Sequence, residues 1–304
     1  MISGSIIDAV PILLLIGIGV IIRQTGLIDE RGALTLTRLA YHVTIPAAIT
    51  VSIARSTLVP ELFFLPLIAA ILPALLAGIM YLTTGRLKDQ PRQRGVLLVA
   101  MVVLGVFAFP FMELFFASAG LARIALYDMG NAFYAGILAT YFARHFGGRE
   151  SGRGISLGRV LSSPLLLAAL SGVALSFFRV PLTGVLGSLL DRLAGANTPV
   201  AMMAVGMFLR PNRAQGGLVL QFIGIRMLLG GILGWAMALL FGLDGLDLIA
   251  ATVGSSLPAG TTALVLSGAE GLDTGLAAAV VSSSLIVGIV VVNVLPHLLA
   301  AAYL

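Results

Sequence analysis

Cysteine is missing from all 304 residues, which excludes disulfides and thiolate-bound metal and leaves the redox compartment open. Charge is scarce too. Asp, Glu, Lys and Arg make up 10% of the chain, where a soluble domain carries about a quarter. Histidine occurs only at His42, His145 and His297, too widely spaced for the paired ligands of a metal site. No HExxH pair is present, so nothing argues for a zinc-dependent hydrolase inside the membrane. The single tryptophan, Trp235, and Tyr141 read as anchors at a membrane–water interface.

What is abundant is apolar. The residues are 59% hydrophobic and the mean hydropathy is +1.08, the composition of a polytopic membrane protein. A pI near 10.1 does not point to nucleic acid, because the basic residues form short clusters between apolar runs. Such clusters are topology signals. The start, MISGSIIDAV, lacks a basic n-region and a small-residue cleavage site, so the first apolar run is expected to remain as a helix.

About 20 apolar residues are needed to cross a bilayer as a helix. Ten stretches qualify: 7–24, 34–53, 62–83, 96–118, 122–143, 160–178, 185–209, 218–241, 246–267 and 274–300. The expected fold is an all-α membrane protein of ten transmembrane helices, with no soluble domain. Thirteen Lys and Arg residues then fall on one face, among them the Arg86–Arg94 cluster and Arg144 to Arg159. Only Arg55, Arg123, Arg179 and Arg192 fall on the other, and Arg226 lies mid-span. The positive-inside rule puts both termini outside.

The two halves share a layout. In 31–55 and 182–210 an arginine precedes a proline by eight and seven residues, Arg38 to Pro46 and Arg192 to Pro199. FPFMELFFASAGLA (109–122) parallels LPAGTTALVLSGAEGL (257–272), each with a proline inside an apolar run. Five helices is an odd number, so a second copy enters the membrane from the opposite side. The expectation is two inverted five-helix repeats, 1–143 and 160–304, joined by a basic cytoplasmic loop at 144–159.

Helix breakers inside apolar runs need a reason, because each unpaired peptide group in hydrocarbon costs several kcal/mol. Pro110 and the segment Ser255, Ser256, Pro258, Gly260, Thr261, Thr262 occupy corresponding places in spans four and nine. Broken half-helices offer free N–H groups and a positive dipole end, suited to an anion. The plainer reading is that both prolines kink ordinary membrane helices. Pairing by repeat, with a glycine and four hydroxyls around the second break, favours a binding site.

Ionisable residues within spans mark function by default. Arg226 lies deep in span eight, Asp128 and Asn131 share one helix face in span five, and Glu113 follows Pro110 by one turn. Three readings of Arg226 and Asp128 stay open: a buried ion pair that fixes packing, groups that hold substrate or protons, or snorkelling at the lipid edge. Glu113 reads as a proton carrier. Ser282, Ser283 and Ser284 read as small packing residues.

TIPAAI (44–49), FPFMELFFASAGLA, SSPLLLAALSGVAL (162–175), NTPVAMMAVGMFL (197–209) and the long run from Leu257 to Gly288 follow one another in a telling order. With them the chain resembles the auxin efflux carrier family, which includes bacterial malate and malonate permease-like proteins and plant PIN carriers. That family lies in the wider group containing the bile-acid sodium symporters. The resemblance implies a scaffold of helices 1, 2, 6 and 7 that forms homodimers. It also implies a transport domain of helices 3–5 and 8–10, in which broken helices 4 and 9 cross. One departure is visible: the family's asparagine about two turns before the first crossover proline is replaced by the apolar MVVLGVFAFP, near Val103.

The implied function is secondary active transport of a small carboxylate-type organic anion across the bacterial inner (cytoplasmic) membrane. Elevator-like alternating access, with coupling to H+ or Na+ and no cofactor, is the implied mechanism. The expected substrate-binding residues are Pro110, Glu113, Asp128, Asn131, Arg226, Ser255, Ser256, Pro258, Gly260, Thr261 and Thr262. A channel or non-transporting sensor of the same fold is the alternative. A membrane enzyme would need a nucleophile–base pair that the sequence does not show.

Overall fold

The computed structural model describes residues 6–56, 60–148, 162–209 and 216–304. Arg149, Arg153 and Arg159 of the expected cytoplasmic loop, and Arg210 and Arg213, lie outside the described residues. The first half contains α1 (Val10–Gln24), α2 (Glu30–Leu39), α3 (Ile45–Ala54), α4 (Phe64–Thr83), α5 (Pro91–Val99), α6 (Gly105–Tyr134) and α7 (Thr140–Gly147). The second half contains α8 (Pro164–Phe177), α9 (Gly184–Gly195), α10 (Asn197–Phe208), α11 (Gly216–Ile223) and α12 (Gly230–Leu240). It ends with α13 (Gly245–Ser255), α14 (Thr262–Glu270) and α15 (Thr274–Tyr303).

The chain is an all-α polytopic membrane protein, but the ten-span inverted-repeat architecture does not stand. Among the described residues five helices are long and apolar enough to cross a membrane: Ile7–Gln24, Pro60–Thr83, Gly105–Gly147, Gly216–Leu240 and Thr274–Tyr303. The physical reason is that an apolar window counts side chains and is blind to the backbone between them. Window 96–118 holds the end of α5, an unwound segment and the start of α6. Window 246–267 likewise holds most of α13, a second unwound segment and part of α14. Windows 34–53 and 185–209 each divide between two shorter helices, and the described part of window 160–178 holds the 14 residues of α8.

Local sequence explains several ends. The Asp29 carboxylate accepts from Gly32 N–H at 2.8 Å and caps α2; Asp273 accepts from Leu276 N–H at 2.9 Å and caps α15. Within α6, Phe116 and Ala117 leave helical geometry, with Ala117 at φ 53° and ψ −152°. Three π-helical turns, Ala40–Thr44, Ala135–Ala139 and Gly224–Leu229, interrupt otherwise continuous rods. Such turns often accompany functional sites.

Packing falls into two groups. In one, α1 lies along α10, and α3 lies against α8 and α9. The α1–α10 approach needs glycine: a Cβ at Gly19 would sit 2.1 Å from the Met203 carbonyl oxygen, and one at Gly206 would sit 2.0 Å from that of Ile16. In the other, α4 packs on α6, α12 on α13, α5 on α7 and α14 on α15. The groups meet where α6 touches α3, α8 and α10.

Candidate functional site

Two unwound segments, 100–104 between α5 and α6 and 256–261 between α13 and α14, cross inside the second group. Val102, Val103, Leu257 and Ala259 are buried, so no water is at hand and each backbone group must find a protein partner. They find one another. Val103 and Ala259 form an antiparallel bridge; Leu104 N–H donates to Pro258 O at 3.0 Å and Gly260 N–H to Val102 O at 2.8 Å. The β-branched pair Val102–Val103 suits this extended geometry.

Side chains complete the accounting. Asn131 Oδ1 accepts from Val103 N–H at 3.0 Å while its Nδ2 donates to Val103 O at 3.1 Å and to Asp128 Oδ1 at 3.0 Å. Ala259 N–H donates to Ser284 Oγ at 3.1 Å. The helix C-termini leading into the breaks are capped as well. Tyr134 OH donates to Leu98 O at 2.8 Å near the end of α5, and Arg226 Nη1 donates to Ser255 O at 2.8 Å at the end of α13.

The helix N-termini leading out are treated differently. Phe107 N–H and Ala263 N–H close the first turns onto Leu104 O and Gly260 O. The N–H groups of Gly105 and Val106 at α6, and of Thr261 and Thr262 at α14, take no partner among the described residues. All four residues line one cavity of about 140 Å³. Asp128 and Asn131 line it from α6, Tyr41 from the first π turn, and Ser163 from the start of α8. Tyr41 OH and Ser163 Oγ are 3.2 Å apart. The remaining wall is apolar, including Leu165, Val205 and Phe208. Two positive helix ends and several hydroxyls thus face one small space, an arrangement that binds anions.

The expected site residues divide. Asp128, Asn131, Gly260, Thr261 and Thr262 come together on the cavity. Pro258 serves through its carbonyl in the crossing. Ser255 is buried behind it, with its Oγ 3.1 Å from Tyr127 OH, and the Ser256 hydroxyl donates back to Thr252 O at 2.9 Å. Neither serine lines the cavity. The first break lies at 100–104 and not at Pro110, which is buried within α6. Glu113 is exposed one turn beyond it, away from the cavity.

Arg226 is fully buried, and its Nε and Nη2 take no partner among the described residues. It does not pair with Asp128: the described ion pairs are Arg55–Asp191, Arg123–Asp247 and Arg144–Glu270. Sequence reasoning missed Tyr41, Ser163 and the backbone at 102–106. It also left Ser284 as packing. Val-Val-Leu-Gly inside an apolar run, with no proline, was the only local sign of the first break.

The architecture is that of a multi-pass helical membrane protein with a small, partly open cavity at the crossing of two interrupted helices. Known proteins agree with that class. A family described as membrane transport protein matches residues 153–296. An uncharacterized transporter of Methanothermobacter thermautotrophicus is 29% identical over 296 residues, covering 94% of this chain and 96% of that one. An uncharacterized transporter of Methanocaldococcus jannaschii is 27% identical over 281 residues, covering 88% and 90%. This is distant homology to proteins described as transporters.

Proposed function

We propose that the protein is a secondary transporter of a small carboxylate-type organic anion, with its binding site in the cavity at the crossing. The observation that carries this reading is the convergence of four residues with free N–H groups, Gly105, Val106, Thr261 and Thr262, on one small, partly open cavity. A carboxylate placed there receives backbone donors from both helix ends, supplemented by the Thr261 and Thr262 hydroxyls. Alternating access moves the second packing group, which owns the crossing, against the first, which supplies Tyr41 and Ser163. A homodimer through the first group, in the cytoplasmic membrane with both termini outside, completes the proposal.

Asp128 bears on the coupling ion. A Cβ at Gly105 would lie 2.1 Å from Asp128 Oδ1, so the carboxyl rests directly against the α6 N-terminus. Two carboxylates sharing that space repel strongly in a low-dielectric interior. Entry of the anion together with a proton held on Asp128 removes the repulsion. Sodium is the other outcome of the same test.

The experiment is counterflow in proteoliposomes with a panel of small carboxylates, at two pH values, with and without sodium. A carrier shows saturable trans-stimulation, whereas a channel of this fold shows none. Thr261→Val and Thr262→Val are expected to weaken uptake more than Ser283→Ala, and Asp128→Asn to abolish its pH dependence. Wild-type affinity in both threonine variants places the site elsewhere.

A further inference from the structure

A second concavity lies on the outer side of the same group, where α12 and the preceding π turn face α15. Its volume is about 660 Å³, and no charged side chain lines it. Its walls belong to Gly216–Leu240 and Thr274–Tyr303, two of the membrane-length helices, so the medium it opens to is hydrocarbon. Leu228, Val290 and Leu298 at its mouth are exposed apolar residues.

The groove is not uniform along its length. Trp235 and Tyr303 lie on opposite walls, and Trp235 Nε1 donates to Tyr303 OH at 2.8 Å. Paired amphipathic rings of this kind belong at headgroup depth. Thr252 and Ser256 also line the groove, where α13 gives way to the second unwound segment. Both hydroxyls are turned inward onto backbone carbonyls, Thr252 onto Leu248 O and Ser256 onto Thr252 O, which leaves methyl and methylene surface for the groove. Next to them α12 packs without side chains: a Cβ at Gly231 would lie 2.3 Å from Ser256 Oγ, and one at Gly234 would lie 2.1 Å from Ser255 Oγ.

We propose that this groove is a binding site for one acyl chain of a bilayer phospholipid. The Trp235–Tyr303 pair marks the headgroup end, and the chain lies against the α12–α13 contact behind the crossing. The occupant is a phospholipid, and not a protein helix, because one end of the trough is closed by a polar aromatic pair. A helix would have to displace that pair to lie along it. Bound there, a chain braces the end of α13 from the side opposite the cavity, so the lipid becomes part of the support of the proposed site.

Trp235 is the only tryptophan, so its fluorescence reports this groove alone. Full-length protein in detergent at fixed micelle concentration is titrated with phosphatidylcholine carrying a dibrominated acyl chain, a contact quencher. The expected result is saturable quenching that reaches its plateau at an equimolar ratio. Val294→Phe on one wall, or Ile232→Phe on the other, fills the groove and should raise the half-saturation roughly tenfold, the equivalent of about two displaced methylenes. Leu240→Phe, on an exposed position outside the groove, should leave it unchanged. Two wall variants keep the test open if one fails to fold. Quenching that rises in proportion to lipid content without a plateau overturns the proposal, as does a plateau that neither wall variant shifts. Equal half-saturation by dibrominated free fatty acid overturns the choice of phospholipid. None of these outcomes depends on transport activity.

Discussion

Asn131 is the residue on which the crossing most depends, because one side chain satisfies both backbone groups of Val103 and also holds Asp128. Asn131→Leu keeps the volume but orphans a buried N–H and a buried C=O, at about 1–3 kcal/mol each. The variant should unfold at clearly lower temperature in detergent, while Asn131→Asp, which retains the acceptor, should fall between it and wild type. Equal melting of Asn131→Leu and wild type would show that Val103 has other partners. The apolar stretch around Val103 thus receives its polar contact from a side chain of α6. Ala117 is a different case. Its φ of 53° with ψ of −152° is territory for glycine, and holding alanine there costs on the order of 1–3 kcal/mol. Ala117→Gly should therefore raise stability by about 1 kcal/mol after the extra chain entropy of glycine is subtracted. Arg226 and Asp128 have separate hydrogen-bond partners, Ser255 O and Asn131. Their neutralisations should add within about 0.5 kcal/mol in a double-mutant cycle, and a larger coupling would mean that the two charges meet.

Among elements, α6 does the most. It starts at the first break, carries Asp128 and Asn131, and supplies the surface on which α4 packs. That packing requires glycine at 130, where a Cβ would lie 1.9 Å from Pro66 O. Backbone meets backbone there, so neither side can yield by a rotamer change. Gly130→Ala is expected to destabilise by about 1–3 kcal/mol through overpacking, against near-neutral Gly78→Ala, whose Cβ meets nothing within 4 Å. Thermal unfolding of the two variants side by side checks this. The element scale is also where the proline argument misled. Pro110 sits in α6 after the break because a helix can absorb one missing donor by kinking, whereas the extended segment was set by Val102, Val103 and the unwound segment across from them.

For the whole molecule, orientation is the property that composition addresses most directly. Reporter fusions at Leu304 and in the 149–159 segment should fall on opposite sides of the membrane, with the basic segment inside. A basic segment on the outside would overturn the proposed orientation with both termini outside. The exposed apolar side chains along α9, Val185, Leu186 and Leu189, belong to the group proposed for dimer contact.

The sequence by itself determined the solvent and the class. Scarce charge and long apolar runs leave no alternative to a helical membrane protein, because hydrocarbon admits only internally bonded backbone. It also marked Asp128, Asn131 and the Gly260–Thr262 stretch, since polar groups in apolar runs are costly enough to need a purpose. What the tertiary structure decided was where the backbone is continuous. Five membrane-length helices, one of them kinked at Phe116 and Ala117, replace ten windows, because unwinding at 100–104 and 256–261 is stable only when each segment bonds the other. The partner that makes each break affordable lies about 155 residues away along the chain, as Val103 and Ala259 do. The same long-range pairing separates Arg226 from Asp128 and brings Tyr41 and Ser163 to the cavity. A local window contains none of those contacts, so it cannot place the break, the pair or the wall.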